Sequence, residues 1–357
     1  MLSRGLLLAA VVLTVVTGCS VLPTTSVPAS GPVAPLAALT PVPDPKARTG
    51  PGTAVLTQPD ITAAPPAQHL PVTVTDHQGT KVTVTDTSRI LAFDMAGTLA
   101  ATVFGLGLGD HVVGRDVSTG FPAARKLPLV TRNGHQLNAE AILALRPSVV
   151  LTDTTLGPWD AVLQLRDSGI PVVVLDSRRS LDNVGTLVHD AAAALGVPEA
   201  GQHLADRLTG EITAKRTEIT RLAPSDPAQK LRTVFLYLRG QAGVYYLFGR
   251  GSGADSLITA LGAVDVASEA GVEGMRPVNP EALIKARPDV ILVMTKGLES
   301  VGGPEGLLQV PGVAQTPAGL HRRFVDMADS QILSFGPQTP GVLDALARAL
   351  YAPGAAG

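Results

Sequence analysis

Cysteine is nearly absent: the 357 residues include only Cys19, so no internal disulfide can form and no Cys-x-x-Cys-His heme attachment exists. Aromatic residues make up 3% of the chain, and the four tyrosines are Tyr237, Tyr245, Tyr246 and Tyr351. A phenol placed beside a cation therefore stands out. Charged residues are also sparse, at 16%, with a formal net charge of -2 and no long Lys/Arg run, which excludes the polyanion-binding surface that nucleic acid requires. The seven histidines, His69, His77, His111, His135, His189, His203 and His321, nowhere have the spacing of a zinc helix or finger. Enzyme motifs are missing as well. Gly249-Arg250-Gly251-Ser252-Gly253 lacks nucleophile-elbow spacing, and neither it nor Gly105–Gly109 completes a dinucleotide fingerprint. Both read as turns at helix ends, the first with amides able to receive an anionic group.

What is present begins with Arg4, an apolar run from Leu6 to Val16, and Thr17-Gly18-Cys19. This is the layout of a signal peptide over residues 1–18, too short for a permanent span, and Val16-Thr17-Gly18-Cys19 resembles a bacterial lipobox. Cys19 is then the expected lipidation site, placing the protein on the outer face of the cytoplasmic membrane. Residues 19–70 are rich in Pro, Ala, Thr and Ser, a composition that buries little apolar surface, so an unpacked spacer is expected there.

The body starts with alternating Val and Thr around Asp76-His77-Gln78-Gly79, a hairpin pattern, and continues with apolar strand candidates alternating with helical segments. His111–Gly114 is one such strand candidate. The order implies an α/β fold with parallel sheets. Within it, Leu137-Asn138-Ala139-Glu140 through Leu151 matches Val278-Asn279-Pro280-Glu281 through Leu292 at a constant offset of 141. Each copy reads as an Asn cap, a helix, an Arg-Pro stop and a buried strand. Two copies at that distance mean two similar Rossmann-like lobes, 71–196 and 229–357. Residues 197–223, with Leu204, Leu208, Ile212 and Ile219 on one face, form the long helix that joins them. The ligand cleft is expected between the lobes.

In the second lobe, Leu231–Gly240 reads as a buried strand whose period of two sets Tyr237 and Arg239 on one face near its end. In the first lobe, His135 lies in the loop before the Asn138-capped helix, facing the cleft. Tyr245 and Tyr246 remain rival phenols.

The lipobox, the bridging helix, the paired Asn-x-Glu-Ala segments and the run Met294-Thr295-Lys296-Gly297-Leu298-Glu299-Ser300-Val301-Gly302-Gly303 resemble the heme (hemin) ABC-importer substrate-binding lipoproteins of actinobacteria. These belong to the helical-backbone metal receptors among periplasmic binding proteins, which also include cobalamin and ferric-siderophore binders. The resemblance runs from about Pro71 to the C-terminus and is closest from Tyr237 to Leu350. It implies a monomeric, non-enzymatic receptor that binds Fe(III) heme b between axial ligands His135 and Tyr237, with Arg239 and Met294 beside them. It also implies that Glu140 and Glu281 dock onto an ABC permease with its ATPase. Ferric iron favours a phenolate oxygen, and a nearby guanidinium favours ionising a phenol whose reference pKa is about 10. A siderophore or cobalamin receptor of the same fold is the alternative, and it would not need His135 with Tyr237.

Overall fold

The computed structural model describes residues 34–56 and 61–353. The expected signal peptide and Cys19 lie outside these residues. The spacer expectation is corrected where the chain is described. A short turn over Leu36–Ala38 buries Leu36 completely, and Ala54 and Ile61 are also buried. Gly52–Thr53 forms strand β1, pairing in parallel with Val325 and Asp326. Residues expected to hang free instead complete the body, because isolated apolar side chains and backbone hydrogen bonds hold them.

The first lobe opens with the hairpin β2 (Val72–Thr75) and β3 (Lys81–Val84). The Asp76 carboxylate fixes its turn by accepting from the Gln78 and Thr80 amides. There follow β4 (Ile90–Phe93), α1 (Thr98–Gly105), β5 (Thr131–Arg132), β6 (Gln136–Leu137), α2 (Ala139–Ala144), β7 (Val149–Thr152), α3 (Trp159–Asp167), β8 (Val172–Val174) and α4 (Val184–Ala194). Strands β4, β7 and β8 form a parallel sheet in that order, and every residue in them is buried. Such unbroken apolar runs are what a sheet covered on both faces requires. The strand expected at His111–Gly114 reduces to one bridge, Ile90 with Val112.

Helix α5 (Pro198–Leu222) is the bridging helix; Pro198 sits in its first turn, where a missing N–H costs nothing, and Leu204, Leu208, Ile212 and Ile219 are buried. The second lobe contains β9 (Arg232–Arg239), β10 (Val244–Phe248), α6 (Ala254–Ala260), β11 (Val264–Asp265), α7 (Val266–Glu269) and β12 (Met275–Pro277). It continues with α8 (Pro280–Ala286), β13 (Val290–Met294), α9 (Thr295–Ser300), α10 (Gly303–Leu307), α11 (Pro317–Leu320), β14 (Phe324–Met327) and α12 (Thr339–Tyr351). Its mixed sheet runs β1-β14-β13-β9-β10-β12, with β11 also on β9.

The duplication is visible in detail. Asn138 and Asn279 cap α2 and α8 by accepting from the Ala141 and Ala282 amides. Arg146 and Arg287 close the two helices with positive φ, 46° and 48°. Arg89 donates to the Leu145 carbonyl as Arg232 does to that of Ala286, so an arginine just before or at the start of a strand satisfies a helix end in each lobe.

At the carboxyl ends of β4 and β7 lies a buried charge cluster. The Arg179 guanidinium donates to Asp94 at 2.8 Å and Asp153 at 2.7 Å, and Asp116 accepts from the Asp94 amide beside them. Two carboxylates share one cation, and the third, Asp116, sits behind them with no bond to Arg179. Burial, then the neighbouring Asp94, pushes Asp116 up to about 7, and the same two causes raise Asp153 despite Arg179.

Candidate functional site

Strand register decides which side chains meet. The antiparallel pairing of β9 with β10 sets Tyr246 opposite Tyr237 and Phe248 opposite Phe235. Tyr245 pairs with Leu238 on the other face and packs into the second lobe's own core. It therefore leaves the set of rival phenols, and Tyr246 stays. On the next strands β13 pairs with β9 up to Val293 with Leu236, and Met294 pairs with Met327 of β14. One face of the sheet thus presents a row, Met327, Met294, Tyr237 and Tyr246, at the ends of adjacent strands. Tyr237, Tyr246 and Met294 are half-buried against the main core.

Tyr237 is held from two sides. Its ring stacks on Phe248 with centroids 5.9 Å apart and planes 21° apart. The Arg239 guanidinium carbon lies 5.8 Å from the same ring's centroid, within cation–π range, while the side chain stays exposed.

His135 comes from the other lobe. Strands β5 and β6 form a small hairpin whose turn contains Asn133 and Gly134, both with positive φ, the conformation that Asn-Gly favours. The turn stands close to the second lobe: a Cβ added to Gly134 would come 3.8 Å from Arg239 Nη2. Nδ1 of His135 is buried without a hydrogen-bond partner. Burial first, then the Arg239 cation, lowers the pKa of His135; Asp329 opposes this and Lys296 adds to it. The neutral imidazole, the form that ligates metals, is favoured. His135 from the first lobe and Tyr237 from the second thus both lie beside Arg239, with Met294 next to Tyr237 in the row.

Asp329 and Lys296 belong to this neighbourhood, though sequence alone assigns neither a role in the site; the Asp329 carboxylate accepts from the Lys296 amide at 2.9 Å. Phe248 was legible in principle, being two residues from Tyr246 on one strand face. Glu140 and Glu281 are exposed in the first turns of α2 and α8, at equivalent points of the two lobes. The amides of Gly251 and Gly253, expected to be open to an anion, are taken by the Asp255 carboxylate. Among the described residues no cluster of three or more His, Cys, Asp or Glu side chains is arranged to hold a metal ion.

Two α/β lobes on one long helix, with side chains from both meeting at strand ends, define a two-lobe substrate-binding receptor. The chain belongs to the periplasmic binding protein family, whose profile matches residues 95–330. It is similar to the crystal structure of the heme binding protein HmuT, with 41% identity, a TM-score of 0.81, and coverage of 87% of this chain and 99% of that one. Variants of that protein with a histidine, a tyrosine or an arginine replaced by alanine have also been solved. The periplasmic heme-binding protein RhuT from Roseiflexus sp. RS-1 is 38% identical with a TM-score of 0.68, over 74% of this chain and 98% of its own. An uncharacterized ABC transporter substrate-binding lipoprotein of Bacillus subtilis (strain 168), YvrC, is 24% identical over 82% of this chain and 90% of its own length.

Proposed function

We propose that this protein captures ferric heme between its lobes and delivers it to an ABC importer. The observation that carries the reading is the convergence of a neutral-favoured imidazole from one lobe and a phenol from the other. His135 and Tyr237 would take opposite faces of one porphyrin. Their chemistry fits the cargo: imidazole and phenolate are both ligands of heme iron, and the phenolate is a hard anion suited to Fe(III). Arg239 lies beside Tyr237, and Met294 adds apolar surface next to it. The relatives support this reading, since the histidine, tyrosine and arginine varied in the heme binding protein are the residue types that meet here. The tyrosine and arginine are two positions apart in both chains.

Glu140 and Glu281 are proposed as the docking contacts for the permease, one from each lobe, and Cys19 as the lipidated residue that holds a monomeric receptor outside the membrane. No helix among the described residues is long and apolar enough to cross a membrane. Binding and hand-over require no reaction on the ligand, so the protein acts as a receptor and not as an enzyme. Titration of the purified protein with hemin tests the reading. A Soret band saturating at one hemin per chain, with the charge-transfer bands of a tyrosinate complex, is expected; ferric siderophore or cobalamin binding without a hemin spectrum would overturn it.

A further inference from the structure

We propose that residues 34–56 and 61–70 are a clasp, a second connection between the lobes that limits how far they open. The segment lies outside the part of the chain that matches the family profile. It is nonetheless docked at both ends. On the second lobe, Gly50 donates to the His321 carbonyl at 2.8 Å and Ala54 to that of Asp326 at 2.7 Å, around the β1–β14 pairing. Lys46 reaches the Ala228 carbonyl at 2.8 Å and the Asp289 carboxylate at 3.6 Å. On the first lobe, the Gln68 amide donates to Thr87 at 2.6 Å and the His69 N–H to the Gly196 carbonyl at 2.7 Å. Gly107, with φ at 83°, lets the chain pass so closely that a Cβ there would come 2.1 Å from the Ala64 carbonyl oxygen.

These anchors change the mechanics of the cleft. A receptor joined by α5 alone has one pivot, whereas here a second strand of chain is fastened to each lobe. Leu56 touches α12 at Gly341, and eight residues later Ala64 meets Gly107. Eight residues span at most about 29 Å, so an opening that needs more must undock one end. The clasp also reaches the ligand row. Thr53 donates to one oxygen of the buried Asp326 carboxylate at 2.8 Å, and Thr295 donates to the other at 2.6 Å. Thr295 follows Met294 and begins α9, so one carboxylate joins the clasp to the strand end that lines the cleft.

The clasp stands whichever ligand enters, and its test uses none. In the full-length chain with Cys19→Ser, spin labels at Leu163→Cys and Ile284→Cys, exposed positions on α3 and α8, report the distance between the lobes. Ala54→Pro removes the N–H that anchors the second lobe, and Gly107→Val expels the Ala64 carbonyl from the first. In folded variants the distance distribution is expected to broaden and lengthen; an unchanged distribution in both overturns the clasp. Should either variant not fold, amide hydrogen exchange of the unaltered chain decides. Ala54 and His69 N–H are expected to exchange at least about a hundredfold more slowly than unstructured chain, and exchange at the unprotected rate overturns the proposal.

Discussion

At the residue scale, Tyr237 and Tyr246 are the two phenols that share the cleft face, and substitution separates them. Tyr237→Phe keeps volume and stacking on Phe248, so the fold should survive while hemin affinity falls and the tyrosinate bands vanish. Tyr246→Phe should leave those bands in place. Arg239→Ala removes a neighbour and not a ligand, so a loss of about tenfold is expected, smaller than for Tyr237→Phe. His135→Ala should retain the tyrosinate bands and change the spin state. An unchanged spectrum for Tyr237→Phe in the hemin titration would move the ligand assignment to Tyr246.

Asp116 gives a second residue-scale prediction, on pH. Its carboxyl is raised from 3.8 to about 7, so the folded state holds its proton more tightly than the unfolded state. Stability from this group is complete below about pH 4 and is lost as pH rises towards and through 7. Thermal melts should therefore show Tm falling between pH 5 and 8 in the natural protein, with a flatter profile in Asp116→Asn. Equal slopes in both proteins would show that Asp116 does not hold the proton.

At the scale of elements, what was legible in the sequence had a local cause. The bridging helix is bounded by Pro198 and by Ala223-Pro224, and α5 ends at Leu222. The duplicated cap, helix and strand are written in matching residues, and Tyr237 and Arg239 follow from period two alone. Register was not legible: only the pairing of β9 with β10 separates Tyr246 from Tyr245. Asp329 and Lys296 approach His135 through tertiary contact, which no spacing encodes. The duplication also supports a prediction about α2 and α8. Glu140→Lys with Glu281→Lys places like charge where the docking contacts are proposed, and both positions are exposed. Hemin binding should be unchanged while stimulation of the partner permease's ATPase is lost, measured in proteoliposomes. Loss of hemin binding instead would place these carboxylates in the pocket.

At the scale of the whole molecule, the N-terminal segment shows why composition misleads. The Pro-, Ala-, Thr- and Ser-rich composition of residues 19–70 points to a free spacer, yet Leu36 is fully buried and β1 covers the edge of β14. The part of the expected spacer that lies within the described residues is therefore docked and not free. Ala34 follows Cys19 by fifteen positions, a length of chain that can span at most about 54 Å. If Cys19 carries the lipid, Cys19→Ala should shift the protein from the membrane fraction to the medium with hemin affinity unchanged. The packing itself is tested by Leu36. Removing a fully buried leucine side chain costs about 2–5 kcal/mol, so Leu36→Ala should lower Tm by about 5–15 °C in calorimetry. Deleting residues 34–70 should lower it further and expose the β14 edge, which promotes aggregation. A melting temperature indifferent to both changes would return the segment to the role of a free spacer.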